Sequence, residues 1–474
     1  MRGGFTCQRY GFNVGADKFS LLTIENGKNK HYAPIGMDID FPKPKISLRQ
    51  AARRNLIMKS ILLIVDTFPP YAAPRMGVLC KYLKKNGWQP YVVVSDDLSL
   101  GKYSENLVGY AEAHFIPKRS STPMSRFLNR VRQRYAAQTV PFCDEQEMER
   151  TACRLVVEHN IKIVLSSTFS TFPLPIAYRV SKKFHIPLVV DLRDIEEQWP
   201  TPLWIKRTRR FFYFHYKQIL RNFILRRAAT VTTVSKWHTE ILSKYNRNVH
   251  LIFNGFDPEI FFERELEKTK QFTLLYAGTF SQIGVRDPEL LFAATAQLFA
   301  EGSIDKSTYR IQLYCGGQLT PAWQERADRY QVNEFIDVLD FLPGREMPRI
   351  MNAASILLLL ANKVTAHGPK GIMTTKLFEY LAMNRPILLI RSDEDCLEQT
   401  IRDCNAGAAA RTVEEAADFI REQYFFWRQH GYTAGTVDRE KIQPYSRKEQ
   451  AFQFMSLFEQ LMAETAHSGT PVSH

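Results

Sequence analysis

Lys376 and Glu379 lie in the stretch "KGIMTTKLFEYLAMNRPILLI", residues 370–390, which reads as a glycine-punctuated loop, a short helix, a turn at Asn384-Arg385-Pro386 and a buried strand. At about 100° per residue, Leu377, Phe378 and Leu381 share one arc, while Glu379 falls on the far side with Thr375, Lys376 and Met383. Glu379 therefore faces water or a cleft. A capping box needs Thr-x-x-Glu, and Phe378 holds the place the acid would need after Thr375. Two accounts remain. Lys376 and Glu379 form a solvated pair worth about 0.3 kcal/mol, or the helix opens at the carboxyl edge of a sheet and serves a ligand. In the second account free N–H groups meet an anion, Gly368 and Gly371 allow close approach, and Glu379 accepts from a ribose diol. A sugar nucleotide has both parts.

Other groups suited to chemistry fall where strands are expected to end. Asp191, Arg193 and Asp194 crowd the end of "PLVVDLRD". Such a carboxylate either takes a proton from a hydroxyl or braces the arginine. Arg286 closes the loop "AGTFSQIGVRDP", which also holds Gly278 and Thr279, and its forked guanidinium suits phosphate oxygens. Asp393-Glu394-Asp395 has the D-x-D spacing of a metal signature, but acids are common in loops after strands and no metal is expected there. No G-x-G-x-x-G follows the first strand, where "DTFPPYAAPRMG" stands, which argues against a dinucleotide oxidoreductase. Seven scattered cysteines show no C-x-x-C pair and no zinc spacing, so reduced, structural thiols are expected.

To position these residues the chain offers short β-rich runs alternating with helical stretches. They are "SILLIVD", "PYVVVS", "AHFIP", "IKIVLSS", "PLVVDLRD", "ATVTTVS" and "NVHLIFNG", then, after a charged linker, "FTLLYAG", "YRIQLYCGG", "FIDVLDFL", "SILLLLA", "RPILLI" and "AGAAAR". Alternation of this kind predicts α/β architecture with parallel sheets covered on both faces. The expected organisation is two doubly wound, Rossmann-like domains facing across a cleft, at 58–267 and 268–440, with a closing amphipathic helix at 441–465 and a tail at 466–474. Residues 1–57 show no clear period and are expected to be poorly ordered. Met58 reads as a cleaner beginning, with the preceding segment an upstream extension of the natural start.

The 474 residues carry a formal net charge of +14, which phosphates of a nucleotide, a nucleic acid or an anionic lipid would neutralise. Between Gln198 and Thr239 there is no acid, while Lys206, Arg207, Arg209, Arg210, Lys217, Arg221, Arg226, Arg227 and Lys236 share the interval with Trp204, Phe211, Phe212, Phe214, Tyr216, Ile219 and Phe223. Either residues 203–227 lie on an anionic membrane surface, or the helix buries its aromatics and solvates its cations. No recognisable nucleic-acid module is present, so nucleic acid is not expected as a partner. The chain has no apolar run near the roughly 18 residues a spanning helix needs, and its first twenty residues hold no continuous apolar core of a secretory leader. The expectation is a cytoplasmic protein, free or peripheral at the inner face of the plasma membrane.

In order along residues 58 to about 463, "SILLIVDTFPPY", "KKNGWQPYVVVS", "IPLVVDLRDIEEQWP", "AATVTTVSKWHTEIL", "VHLIFNGFDPEIF", "LLYAGTFSQIGVRDPELL" and "TTKLFEYLAMNRPILLI" together resemble the GT-B glycosyltransferases. The resemblance is to family 4, retaining enzymes of bacterial surface polysaccharides and glycolipids. It implies a metal-independent hexosyltransferase without cofactor, which moves a sugar from a nucleotide-sugar donor to a lipid-linked, for example polyprenyl-linked, saccharide with retention of configuration. Glu379 matches the second acid of the family's Glu-x7-Glu signature, the one that holds the donor ribose. The first acid falls at Gly371, a departure that leaves the group facing the donor sugar to His367, Lys370 or the local backbone. By the same resemblance Gly278, Thr279 and Arg286 meet the donor diphosphate, Gly371 and Lys376 complete the donor side, and Asp191 and Asp194 lie at the interdomain cleft as the catalytic candidates. Ala72-Ala73 replaces the Gly-Gly of the family's first loop, where Arg75 is a candidate for phosphate contact. The departures keep two alternatives open: a catalytically silent GT-B scaffold at the membrane, and a sugar-nucleotide epimerase of the same architecture, which would consume donor without an acceptor.

Overall fold

The computed structural model describes residues 58–71, 74–96, 105–117, 143–198, 209–278, 286–361 and 370–468, together with three strands nearer the start. The chain divides into two compact units, residues 1–57 and 58–474. In the first unit β1 (Cys7–Val14), β2 (Asp17–Asn26) and β3 (Asn29–Pro34) form an antiparallel meander. The rest of residues 1–57, on which the expectation of poor order also falls, lies outside the described residues.

The second unit begins with β4 (Lys59–Val65), α1 (Pro74–Lys85), β5 (Trp88–Ser95), β6 (Glu112–Ile116), α2 (Glu145–Glu158), β7 (Val164–Thr168) and α3 (Leu174–Phe184). It continues through β8 (Leu188–Leu192), α4 (Arg209–Leu225), β9 (Thr230–Thr233), α5 (Lys236–Leu242) and β10 (Val249–Leu251). These seven strands make one parallel sheet in the order β10-β9-β8-β7-β4-β5-β6. Ile61 to Val65 are fully buried, as befits a central strand packed on both faces.

A second parallel sheet follows, built from β11 (Phe272–Ala277), α6 (Glu289–Ala300), β12 (Tyr309–Tyr314), α7 (Pro321–Arg329), β13 (Ile336–Leu339), α8 (Met347–Ala353), β14 (Ile356–Leu360), α9 (Thr375–Met383), β15 (Ile387–Ile390), α10 (Cys396–Asp403) and β16 (Gly407–Ala410). Its order is β13-β12-β11-β14-β15-β16. All thirteen β-rich runs named from the sequence are strands. In both sheets the order reverses beside the first strand, between β4 and β7 and between β11 and β14. Each reversal opens a crevice at the carboxyl ends, where ligands bind in doubly wound sheets.

The chain then runs through α11 (Val413–His430) and α12 (Arg439–Ile442) into α13 (Arg447–Ser468), which returns to the first sheet. Ala451, Phe454, Met455, Phe458 and Leu461 of α13 join a core with Ile61, Leu63, Val65, Leu79, Leu83 and Trp88. The rings of Phe458 and Trp88 meet edge to face at 5.7 Å. Among the described residues no helix is long and apolar enough to cross a membrane.

Candidate functional site

The two sheet edges meet. The main-chain carbonyl of Gln198, just past β8, accepts from the Lys370 N–H at 3.3 Å, and Asn254 Nδ2 donates to the Met373 carbonyl at 3.0 Å. The loop that leads into α9 is thus held against the carboxyl edge of the first sheet, and the residues with chemistry collect on either side of it.

On the first edge the acids are held by arginines, although Arg193 keeps a buried Nε without a hydrogen-bond partner among the described residues. Asp191 is fully enclosed; Oδ1 accepts from Arg75 Nη2 at 2.9 Å and Thr232 Oγ1 at 2.7 Å, Oδ2 from Arg75 Nε at 3.2 Å and Ser167 Oγ at 2.7 Å. Burial pushes this carboxyl up, but the bidentate Arg75 and the two hydroxyls outweigh it and hold the acid below its ordinary range. Arg75 also donates to the carbonyls of Ile252 and Phe253 in the connection between the sheets. These partners take four of the five Arg75 N–H groups, and Asp191 has the geometry of a brace. Arg193 pairs with Asp66 at the end of β4 and lies 3.5 Å from the Phe169 ring centroid. Asp194 differs from both acids. It is half-buried and accepts from the Gln198 amide; burial pushes it up to about 6, against the pull of Arg193 and Gln198 and with a push from Asp66.

The second edge is arranged differently. Gly278, next after β11, has φ +144°, and a Cβ there would land 2.5 Å from Lys376 Cε and Nζ. The glycine therefore lets the Lys376 ammonium lie against the backbone, 5.5 Å from the Tyr276 ring centroid. Arg286 Nη1 donates to Tyr276 Oη at 2.7 Å, which places a guanidinium and an ammonium around one phenol ring. Burial and the neighbouring Arg286 push Lys376 down to about 8, with Glu379 opposing. Glu379 is half-buried, and among the described residues it has no hydrogen bond or ion pair. Burial pushes its carboxyl up to about 7, while Arg447 and Lys376 draw it down. Thr374 is the N-cap of α9 and its hydroxyl makes no capping bond, consistent with the missing Thr-x-x-Glu spacing.

Gly278, Arg286, Lys376 and Glu379 are thus brought together, while Asp191 and Asp194 sit on the opposite edge. Thr279 and His367 lie outside the described residues, as does Ala72-Ala73. Gly371 has φ +70°, and its Cβ would come within 2.9 Å of the Trp237 ring, 3.0 Å of Ser235 Oγ and 3.2 Å of His238 Cδ2. The first sheet's own loop occupies the place a side chain would need, so the absence of an acid at 371 is built into the packing. Asp393, Asp395 and Cys396 bring three ligand atoms within 4.8 Å of one another. Their oxygens, however, are bound by N–H groups: Asp393 receives Asp395, Leu397 and Glu398, and Asp395 receives Gly371 at 2.7 Å.

Arg447 escaped the sequence reading. At the first position of α13 it is buried, donates from Nε to the Gly255 carbonyl at 2.7 Å, and leaves Nη1 without a partner among the described residues. Burial and Arg75 push it down to about 10, against Glu379 and Asp257. A cation at a helix N-terminus opposes the macrodipole, and that anomaly was visible in "PYSRKEQ".

No protein-family model and no curated protein matches the chain. Solved structures do. Sucrose-phosphate synthase from Thermosynechococcus elongatus matches with a TM-score of 0.57 at 14% identity, over 86% of this chain and 100% of that one. Anabaena HepE in complex with UDP and glucose matches with 0.57 at 13%, over 85% and 100%, and in complex with UDP-glucose with 0.52 at 14%, over 86% and 99%. At such identity the shared property is the architecture: this chain has the GT-B fold, two Rossmann-like halves meeting at the carboxyl edges of their sheets.

Proposed function

We propose that the chain is a glycosyltransferase that takes a sugar from a nucleotide-sugar donor and attaches it to a lipid-linked saccharide, with retention of configuration, in the synthesis of a cell-surface polysaccharide or glycolipid. One observation carries this reading. Among the described residues Glu379 is a carboxylate without hydrogen bond or ion pair, within reach of the Lys376 charge, at a sheet edge of a fold shared with HepE, which is solved in complex with UDP-glucose. Glu379 accepts the ribose hydroxyls, and Arg286 and Lys376 take up the charge that develops on the diphosphate. The bond between the anomeric carbon and the diphosphate oxygen breaks, and a bond from that carbon to an acceptor hydroxyl forms. The hydroxyl's proton passes to Asp194, whose raised pKa suits a base near neutrality. The diphosphate's charge is met by fixed side chains, so the step is written without a metal.

The lipid acceptor is supported by α4. Tyr216, Ile219 and Phe223 are 60%, 66% and 40% exposed along one face, beside His215, Arg226 and Arg227. Such a face fits an anionic membrane. Residues 203–208 of the basic interval lie outside the described residues, and Arg221 is excluded from the face because it is buried against Glu196 and Glu197.

The test is a panel of nucleotide sugars, read by thermal shift and by turnover with and without polyprenyl-linked saccharides. Transfer to lipid, with the product's anomeric configuration read by NMR, supports the proposal. Consumption of donor without acceptor identifies an epimerase, and absence of any nucleotide binding identifies a scaffold.

A further inference from the structure

Gln198 is buried at the end of a 3-10 turn, Glu196–Gln198, and each of its polar groups is engaged. Its amide donates to Asp194, and His238 Nε2 lies 2.9 Å from Oε1. A carboxylate only accepts, so the NH2 group faces Asp194 and Oε1 faces His238, which puts the imidazole proton on Nε2. Nδ1 lies 3.2 Å from Thr233 Oγ1, whose one hydrogen goes to the Leu192 carbonyl at 2.9 Å. Burial pushes His238 down to about 4, with Glu197 opposing and Arg221 adding to it, so the ring is neutral. The main-chain carbonyl of the same glutamine receives the Lys370 N–H. The next residue, Gly371, packs its α-carbon against Trp237, Ser235 and His238.

We infer that Gln198 is a positioning residue that couples the acceptor-side carboxylate, Asp194, to the loop that carries the donor-side helix. The inference rests on the transferase reading for its kinetic consequence and on the hydrogen bonds alone for its mechanical one. The side chain sets the orientation of Asp194 and His238. The carbonyl holds residues 370–373, and with them the start of α9, at a fixed distance from that acid. A buried amide satisfied on both sides costs little, whereas removal of either bond leaves a desolvated partner. Besides Gln198, the groups that act on Asp194 are Arg193 and Asp66, and those that act on His238 are Glu197 and Arg221.

Two substitutions separate coupling from a merely structural role. Gln198→Glu keeps an acceptor for His238 and removes the donor to Asp194. Amide exchange of 370–373 should stay protected, while the acid limb of the kcat profile moves to higher pH because Asp194 has lost a bond that favours its ionised form. Gln198→Ala keeps the main-chain carbonyl that receives the Lys370 N–H but removes both side-chain bonds that hold this carbonyl in place. Exchange at 370–373 should quicken, and kcat should fall ~10- to 100-fold with the donor KM within about threefold. Unchanged exchange in folded Gln198→Ala overturns the claim that the side chain positions the carbonyl holding the loop, and with it the coupling. An unmoved acid limb in Gln198→Glu overturns the coupling to Asp194. Should wild-type protein transfer no sugar, the transferase reading fails by itself, and exchange in the two variants still decides whether Gln198 holds the loop; Gln198→Glu, nearly the same shape, serves if Gln198→Ala does not fold.

Discussion

The two sheet edges are built from the same kinds of residue and use them in opposite ways. At the first edge Asp191 has Arg75 and two hydroxyls, and Asp66 has Arg193, Thr168 and the Phe169 N–H, so these acids are saturated. At the second edge Glu379 has, among the described residues, no hydrogen bond or ion pair. The partly shielded Glu379 and Lys376 are shifted toward neutrality, to about 7 and about 8. A saturated buried charge holds structure. An unsaturated one is costly to keep, and such groups cluster at functional sites. The contrast separates brace from site better than residue type does.

The contrast breaks most sharply on Asp191. If it is a brace, Asp191→Ala leaves Arg75 buried without its counter-charge and should cost ~3–5 kcal/mol in a denaturant titration. A loss of activity with unchanged stability would return Asp191 to catalysis. Glu379→Ala should do the reverse. No folded-state bond is lost, so stability should hold or rise, while kcat/KM for the nucleotide sugar falls ~100-fold, about 2.7 kcal/mol of transition-state stabilisation. If both variants lose stability equally, the distinction between the edges is gone.

Much of this was legible in the sequence, and the remainder has a physical reason for having been hidden. Periodicity gave both sheets, because buried parallel strands read as continuous apolar runs, and the glycine-lysine-glutamate pattern around Gly371, Lys376 and Glu379 pointed to the second edge. Partners distant in sequence left no such trace. "DLRD" suggested that Arg193 and the aspartates flanking it serve one another; in the fold Asp191 takes Arg75, 116 positions away, and Arg193 takes Asp66, 127 positions away. The reason for a glycine at 371 was likewise out of reach, since it depends on Trp237 and His238 from the other sheet. Gln198 shows no period and no motif. Only the three contacts that converge on it reveal it.

The shifted pair makes the second edge sensitive to pH, and the signs follow from linkage. Glu379 binds its proton up to about 7 when folded, against about 4.5 when unfolded. Between these values the native state holds more protons, so stability falls as pH rises. Lys376, lowered to about 8, gives the opposite slope between about 8 and 10.5, where the unfolded chain holds more protons. Donor binding needs Glu379 ionised to accept from the ribose and Lys376 charged to meet the diphosphate. Affinity for a nucleoside diphosphate, measured by calorimetry, should therefore peak between about pH 7 and 8. Glu379→Gln should lower the peak and remove the acid limb, and a flat profile in the wild type would sever the link between the two shifts and the ligand.

The smallest effect expected is on α4 and the turn that follows it, where the contrast recurs. Arg221 is fully buried and saturated by Glu196 and Glu197, acids that stand just before the acid-free interval, so a charge that the sequence assigned to the surface is structural. Just past the end of the helix Arg226 is exposed, and Arg227 stacks 3.6 Å from the Phe223 ring centroid on the exposed apolar face. If this face meets an anionic bilayer, Arg226→Gln should weaken binding to phosphatidylglycerol vesicles by about fivefold, about 1 kcal/mol per cation, and added salt should reproduce the loss. Arg221→Gln should lower stability and leave vesicle affinity unchanged, because its charge is already neutralised by its two acids. Equal effects of the two substitutions on vesicle binding would mean that net charge alone, not the exposed face of α4, draws the protein to the membrane.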